Sequence, residues 1–219
     1  IALGAAIGVL ALTTIVVLFM LAGWVSYHPD EGTAGGYLHS LAVAGVVFAV
    51  AAASEEALFR GYPFQALVEG VGAVPATVLA SGAFAAAHAS NPNVTVLALV
   101  NIFLAGVLLS AAYLRTRSLW FATALHAGWN WSMASLFDLP VSGLGAFNTP
   151  LYEPAIGGAA WVTGGGFGPE GGIGGTVAFL LALAAVLRLG GVREGDEMRA
   201  LRPLVDGTRR RGEGDGGNP

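Results

Sequence analysis

The sequence predicts an all-α protein: a polytopic transmembrane helical bundle of about six spans, with a short polar C-terminal tail. Three observations predict it. Of 219 residues, 55% are hydrophobic and only 11% charged, with a mean hydropathy of +0.68. A soluble domain carries about 25% charged residues, so this chain has too little polar surface to face water. The apolar residues are gathered into runs, over 3–26, 41–53, 73–88, 94–114, 119–137 and 176–190. Several reach the roughly 17–25 residues that a membrane-crossing helix needs. The third observation is the placement of the basic residues, all of them arginine: Arg115 and Arg117 bracket one short loop, and Arg188, Arg193, Arg199, Arg202 and Arg209 to Arg211 follow the last run. Cytoplasmic loops carry such an excess. The segments 28–36 and 140–175 hold acids and no Arg or Lys, which suits the outer face. Six spans with both termini in the cytoplasm satisfy every loop.

The elements follow in order. The chain begins at Ile1 rather than Met, as a trimmed sequence would. Its first run lacks a basic n-region and a small-residue cleavage site, so it reads as a membrane helix rather than a signal peptide. The second helix is predicted from about Leu38 to Glu69, too long for a straight span at ~1.5 Å per residue. Gly61 and Pro63 supply a reason to kink, because proline lacks a donor and clashes with the carbonyl four residues back. Gly70-Val71-Gly72 turns the chain into the third helix, and Asn91 and Asn93 mark the turn that ends it. Spans over 94–114 and 119–137 flank the arginine loop. The glycine-rich stretch 140–175 is expected as a mobile outer loop. The membrane domain spans 1–190, and 191–219 forms the polar tail. The chain has no cysteine, which excludes disulfides and thiolate-ligated metals. No nucleic-acid partner is expected.

Glu55, Glu56 and Arg60 lie inside the second helix. A charge at the bilayer centre costs about 2.5–3.5 kcal/mol on insertion scales, so such groups face the protein interior and have partners. Glu56 and Arg60 are spaced i, i+4 and can pair on one face, as structural glue or as part of a site. Glu55 points about 100° away and has no local cation. Equal distances from the glycine turn put Glu55 and His88 at equal depth in the helical hairpin, and a buried glutamate beside a histidine is an acid–base pair. Phe84 shares the face of His88, with packing as its default role. On the fifth helix His126 and Asn130 are again i, i+4, about 12 and 18 Å in from Ser118. They could bind a developing oxyanion or hydrogen-bond between helices. His28 and His39 read as interfacial, and Trp129 and Trp131 as packing or interface residues.

Glu55-Glu56-Ala-Leu-Phe-Arg60 fits E-E-x-x-x-R, Phe84-Ala-Ala-Ala-His88 fits F-x-x-x-H, and His126-Ala-Gly-Trp-Asn130 fits H-x-x-x-N. This ordered set, over about 38–138, resembles the CPBP or Abi family of intramembrane proteases. That family includes type II CAAX prenyl endopeptidases and lysostaphin-resistance-protein-A-like proteins. The resemblance implies a metal-independent glutamate mechanism: Glu55 with His88 activating a water, His126 and Asn130 stabilising the oxyanion, and Glu56 with Arg60 holding the site together. A Zn²⁺ site built from Glu55, His88 and His126 is the alternative. It is disfavoured because no H-E-x-x-H pair is present and Glu56 is committed to Arg60. The implied partners are the lipid bilayer and a membrane-anchored or lipidated peptide or protein. Eukaryotic relatives trim prenylated CAAX proteins, whereas the lysine-free, Ala/Gly/Arg-rich composition points to a prokaryotic plasma membrane. The rival readings are a non-catalytic membrane binding or bacteriocin-immunity protein and, with less support, a proton-coupled transporter.

Overall fold

The computed structural model describes residues 1–145 and 147–195. The polar tail predicted over 191–219 therefore lies outside the described residues from 196 onward, along with Arg199, Arg202 and Arg209 to Arg211. The described chain is mostly helical. Its long elements are α1 (Ala2–Leu21), α2 (Ala34–Arg60), α3 (Tyr62–Val71), α4 (Ala73–Ala87), α5 (Val96–Thr116), α6 (Leu119–Trp131) and, after a short α7 (Ala160–Thr163), α8 (Ile173–Arg188). By length and composition, α1, the α2–α3 unit and α5 can cross a membrane, while α4 and α8 are shorter apolar helices.

Local chemistry sets the helix ends. Thr33, Thr95 and Ser118 occupy N-cap positions, where each hydroxyl accepts a backbone N–H two or three residues into the helix, from Gly36, Ala98 and Phe121. The long second helix breaks where the sequence predicts. Gly61 adopts φ −73°, ψ −144°, and Pro63 sits in the first turn of α3. A side chain at Gly61 would run into the Ala57 carbonyl, so the break requires glycine.

Helix α6 is the centre of the bundle and packs against α1, α2 and α5. Its contact with α1 is made by small residues. A Cβ on Gly4 would lie 2.6 Å from the Phe121 carbonyl, one on Gly128 would lie 2.6 Å from the Ala5 carbonyl, and one on Gly8 would overlap the Leu125 carbonyl. Gly4 and Gly8 form a G-x-x-x-G stripe, which lets two helix backbones approach closely in a membrane. By contrast α2 exposes Val43, Val46, Val47, Val50 and Leu58, the surface of a helix facing lipid. Two contacts bring the α5–α6 turn to the segment after α8: Arg115 Nε donates to the Val192 carbonyl at 2.8 Å, and Arg117 lies 3.8 Å from Glu194. These arginine-bearing segments share one end of the molecule.

The opposite end departs from the predicted all-α pattern. Strand β1 (Val25–Pro29) pairs antiparallel with β2 (Tyr152–Ile156), so that Tyr27 faces Pro154. The stretch 140–175 is not an open loop. It contributes β2, α7 and two 3₁₀ turns, Gly165–Phe167 and Pro169–Gly171, and it buries Thr149, Thr163, Phe167 and Glu170. The run predicted as one helix over 119–137 changes after Trp131 into a π-helix, Ser132–Leu136. Three tyrosine hydroxyls take carbonyls at its end: Tyr37 donates to Ser135, Tyr152 to Leu136 and Tyr27 to Phe137, at 3.3, 2.8 and 2.9 Å. Burial raises the phenol pKa of Tyr27 and of Tyr152. Asp138 adds to the first shift, and the Tyr37 hydroxyl bond adds to the second.

Candidate active site

Three helices aim the motif residues into one cavity of about 160 Å³. Glu55, Phe84, His88, His126 and Asn130 all line it. Glu55 comes from the last turns of α2, His88 from the C-cap of α4, and His126 and Asn130 from one face of α6.

Glu56 and Arg60 form the closed side of the site. Both are fully buried, and Arg60 Nη1 donates to Glu56 Oε1 at 3.0 Å, the i, i+4 pair that the spacing predicts. Arg60 Nη2 donates to the Gly106 carbonyl of α5 at 3.0 Å, and the guanidinium lies 4.6 Å from the Phe84 ring centroid. A cation over an aromatic face gains when both are desolvated. Gly106 is required at this crossing, because a Cβ there would sit 2.8 Å from Ser81 Cα. Phe84 does more than pack: its ring also meets His88 at 4.7 Å and His126 at 6.0 Å.

The two histidines are held differently. His88 Nδ1 lies 2.8 Å from the Phe84 carbonyl. A carbonyl only accepts, so Nδ1 carries a proton, and in the neutral ring Nε2 is then the acceptor. His126 Nδ1 lies 3.0 Å from Glu56 Oε1, which likewise assigns a proton to Nδ1. Its Nε2 faces Glu55 Oε2 at 3.9 Å. The sequence places Glu55 opposite His88 and commits Glu56 to Arg60 alone. In the structure His126 stands between the two carboxylates, and His88 shares the cavity wall with Glu55. Glu55 is part exposed, yet its Oε2 atom is buried and has no hydrogen-bond partner among the described residues. Buried carboxylate oxygens are normally satisfied, and an exception calls for a ligand or water.

Three further residues escaped the sequence reading. Asn91, Ser142 and Glu170 line the same cavity, and Glu170 is 3% exposed. Asn91 carried a turn signal only, while Ser142 and Glu170 stand in a glycine-rich stretch without period or motif. Among the described residues, no three His, Asp or Glu side chains converge on a point where they could share a metal ion. Glu55, His88 and His126 line one cavity without forming such a group.

No curated protein and no solved structure matches the chain. Residues 37–132 match the family model described as type II CAAX prenyl endopeptidase Rce1-like, a span that includes all three motifs. Over residues 37–132 this membrane protein is therefore similar to the Rce1-like type II CAAX prenyl endopeptidases.

Proposed function

We propose that the chain is an intramembrane endopeptidase that hydrolyses a peptide bond in a membrane-anchored or lipidated substrate through a water activated by Glu55. The observation that carries the reading is the buried Glu55 Oε2, which has no hydrogen-bond partner among the described residues and faces a histidine inside a cavity that a second histidine and an asparagine also line. The water oxygen attacks the scissile carbonyl carbon, and its proton passes to Glu55. His88, its Nδ1 occupied by the Phe84 carbonyl, offers Nε2 to the same water. The carbonyl oxygen becomes an oxyanion, which accepts hydrogen bonds from the Asn130 amide and from His126 Nε2 when that nitrogen is protonated. Preorganised donors of this kind, in a site that excludes bulk water, are a large source of rate enhancement. As the C–N bond breaks, Glu55 returns its proton to the leaving amine. Glu56 and Arg60 stay outside the reacting atoms and hold His126 and the end of α2.

This mechanism uses no metal. The topology proposed with it has six spans, α4, α6 with its π-helical extension, and α8 crossing beside the three longer units, and both termini in the cytoplasm. Purified protein is incubated with a lipidated membrane peptide, with and without chelator. Wild type is expected to cleave equally in both. Glu55→Gln is expected to lose about a thousandfold, within the ~10²–10⁴ that a general base contributes, with circular dichroism unchanged. Cleavage at the wild-type rate by Glu55→Gln overturns the base assignment, and loss of activity on chelation overturns the metal-free mechanism.

A further inference from the structure

Glu170 lies outside the family-matched segment, yet it is the best-bonded carboxylate at the cavity. Its Oε1 accepts from Trp129 Nε1 at 2.8 Å, and its Oε2 accepts from the Ser142 backbone N–H at 2.9 Å and the Ser142 hydroxyl at 2.7 Å. Its backbone carbonyl accepts from Asn101 Nδ2 at 2.7 Å. Asn101 donates in turn to the Gly172 carbonyl at 2.8 Å and accepts from the Thr176 hydroxyl at 2.7 Å. No cation forms an ion pair with Glu170 among the described residues. A buried carboxylate without a counter-ion is unfavourable unless strong donors compensate it, and here three do.

Those donors lead to the reacting groups. Trp129 stands next to Asn130 on α6 and stacks on Phe179 of α8 at 4.4 Å. The Ser142 carbonyl accepts from Asn91 Nδ2 at 2.9 Å, and Asn91 stands in the turn that follows His88. One carboxylate thus joins the helix of the oxyanion donors to the turn of the second histidine. We infer that Glu170 is a positioning residue, which sets the distance between the His88 turn and the His126/Asn130 face of α6 by bonding Trp129 and Ser142 at once. Its effect on turnover rests on the proposed protease reading, whereas its effect on the cavity does not.

The indole N–H and the backbone N–H only donate, so the position demands an acceptor at both ends. Glutamine cannot supply it, because its amide NH₂ must face one of those donors. Glu170→Gln is therefore expected to lower kcat at least tenfold with KM changed less than threefold. A displacement of about 1 Å at a reacting group costs on the order of 10²-fold. Trp129→Phe removes one donor and gives the glutamine NH₂ room. The double variant Trp129→Phe/Glu170→Gln is thus expected to be at least fivefold more active than the product of the two single effects.

The chain has no cysteine, which permits a second readout independent of turnover. Ala51 lines the cavity, and Ala51→Cys reports its accessibility through the rate of alkylation by a water-soluble maleimide. Glu170→Gln is expected to change that rate at least threefold, and Trp129→Phe to bring it back. Should Glu170→Gln not fold, Ser142→Ala removes one of the same donors and is expected to shift kcat and alkylation in the same direction by a smaller factor. Cavity shifts with rescue in a protein that never cleaves support the positioning role and overturn the protease reading. Multiplicative single effects, or an unchanged alkylation rate, overturn the positioning role.

Discussion

At the scale of single residues, the buried Glu56–Arg60 pair shows what confines charge to this site. Arg60 bonds Glu56, the Gly106 carbonyl and the Phe84 face at once. Removing one partner of a buried pair leaves an uncompensated charge, at a cost of about 3–5 kcal/mol. Arg60→Ala is therefore expected to destabilise the protein by about that amount, read as a lower midpoint of thermal unfolding in detergent. Arg60→Lys is expected to recover little, because a single ammonium lacks the planar fork that reaches two acceptors on different helices. An Arg60→Lys protein as stable and active as wild type would remove the forked geometry from the account. These charges were legible in the sequence because charge inside an apolar run is costly and i, i+4 spacing fixes a face. The partner of Glu55 was not. Counting residues from a turn fixes the height of a side chain but not its direction around the helix axis. It therefore put Glu55 level with His88 without showing that His126 comes closer.

At the scale of elements, helix ends and breaks were readable wherever a residue has a local reason to be there. Gly61 with Pro63 split the second helix, and Thr33, Thr95 and Ser118 cap three others. The β1–β2 pair and the π-helical end of α6 were not readable, since five-residue strands and a π turn leave no periodic trace. They are held by the hydroxyls of Tyr27, Tyr37 and Tyr152. Tyr27 and Tyr152 have phenol pKa values raised in the folded state, chiefly by burial. A raised folded pKa means that the fold favours the protonated hydroxyl. The associated stability is complete below the unfolded phenol value of about 10 and is lost as pH rises above it. The thermal midpoint is expected to fall between pH 9.5 and 11.5, and Tyr27→Phe/Tyr152→Phe is expected to flatten that fall while starting from a lower midpoint. An unchanged slope in the double variant would detach the alkaline transition from this end of the molecule.

At the scale of the whole molecule, the family-matched segment does not enclose its own site. Residues 37–132 supply the motifs, but the back of α6 is covered by α1, and the cavity wall is completed by Ser142, Glu170 and Phe179. The stripe that docks α1 is visible in the sequence as Gly4-x-x-x-Gly8, yet such a stripe names no partner. That the partner is α6 emerges only from the fold, where a Cβ at Gly8 would overlap the Leu125 carbonyl one residue before His126. Backbone on backbone cannot be relieved by turning a side chain, so Gly8→Val must move a helix. Because α6 carries His126 and Asn130, that movement is expected to lower cleavage at least tenfold and to reduce the thermal midpoint together with it. Gly35→Val supplies the control at a glycine with open space around it and is expected to leave both nearly unchanged. Activity at the wild-type level in Gly8→Val would mean that α1 only shields α6 from lipid and does not set the position of its donors.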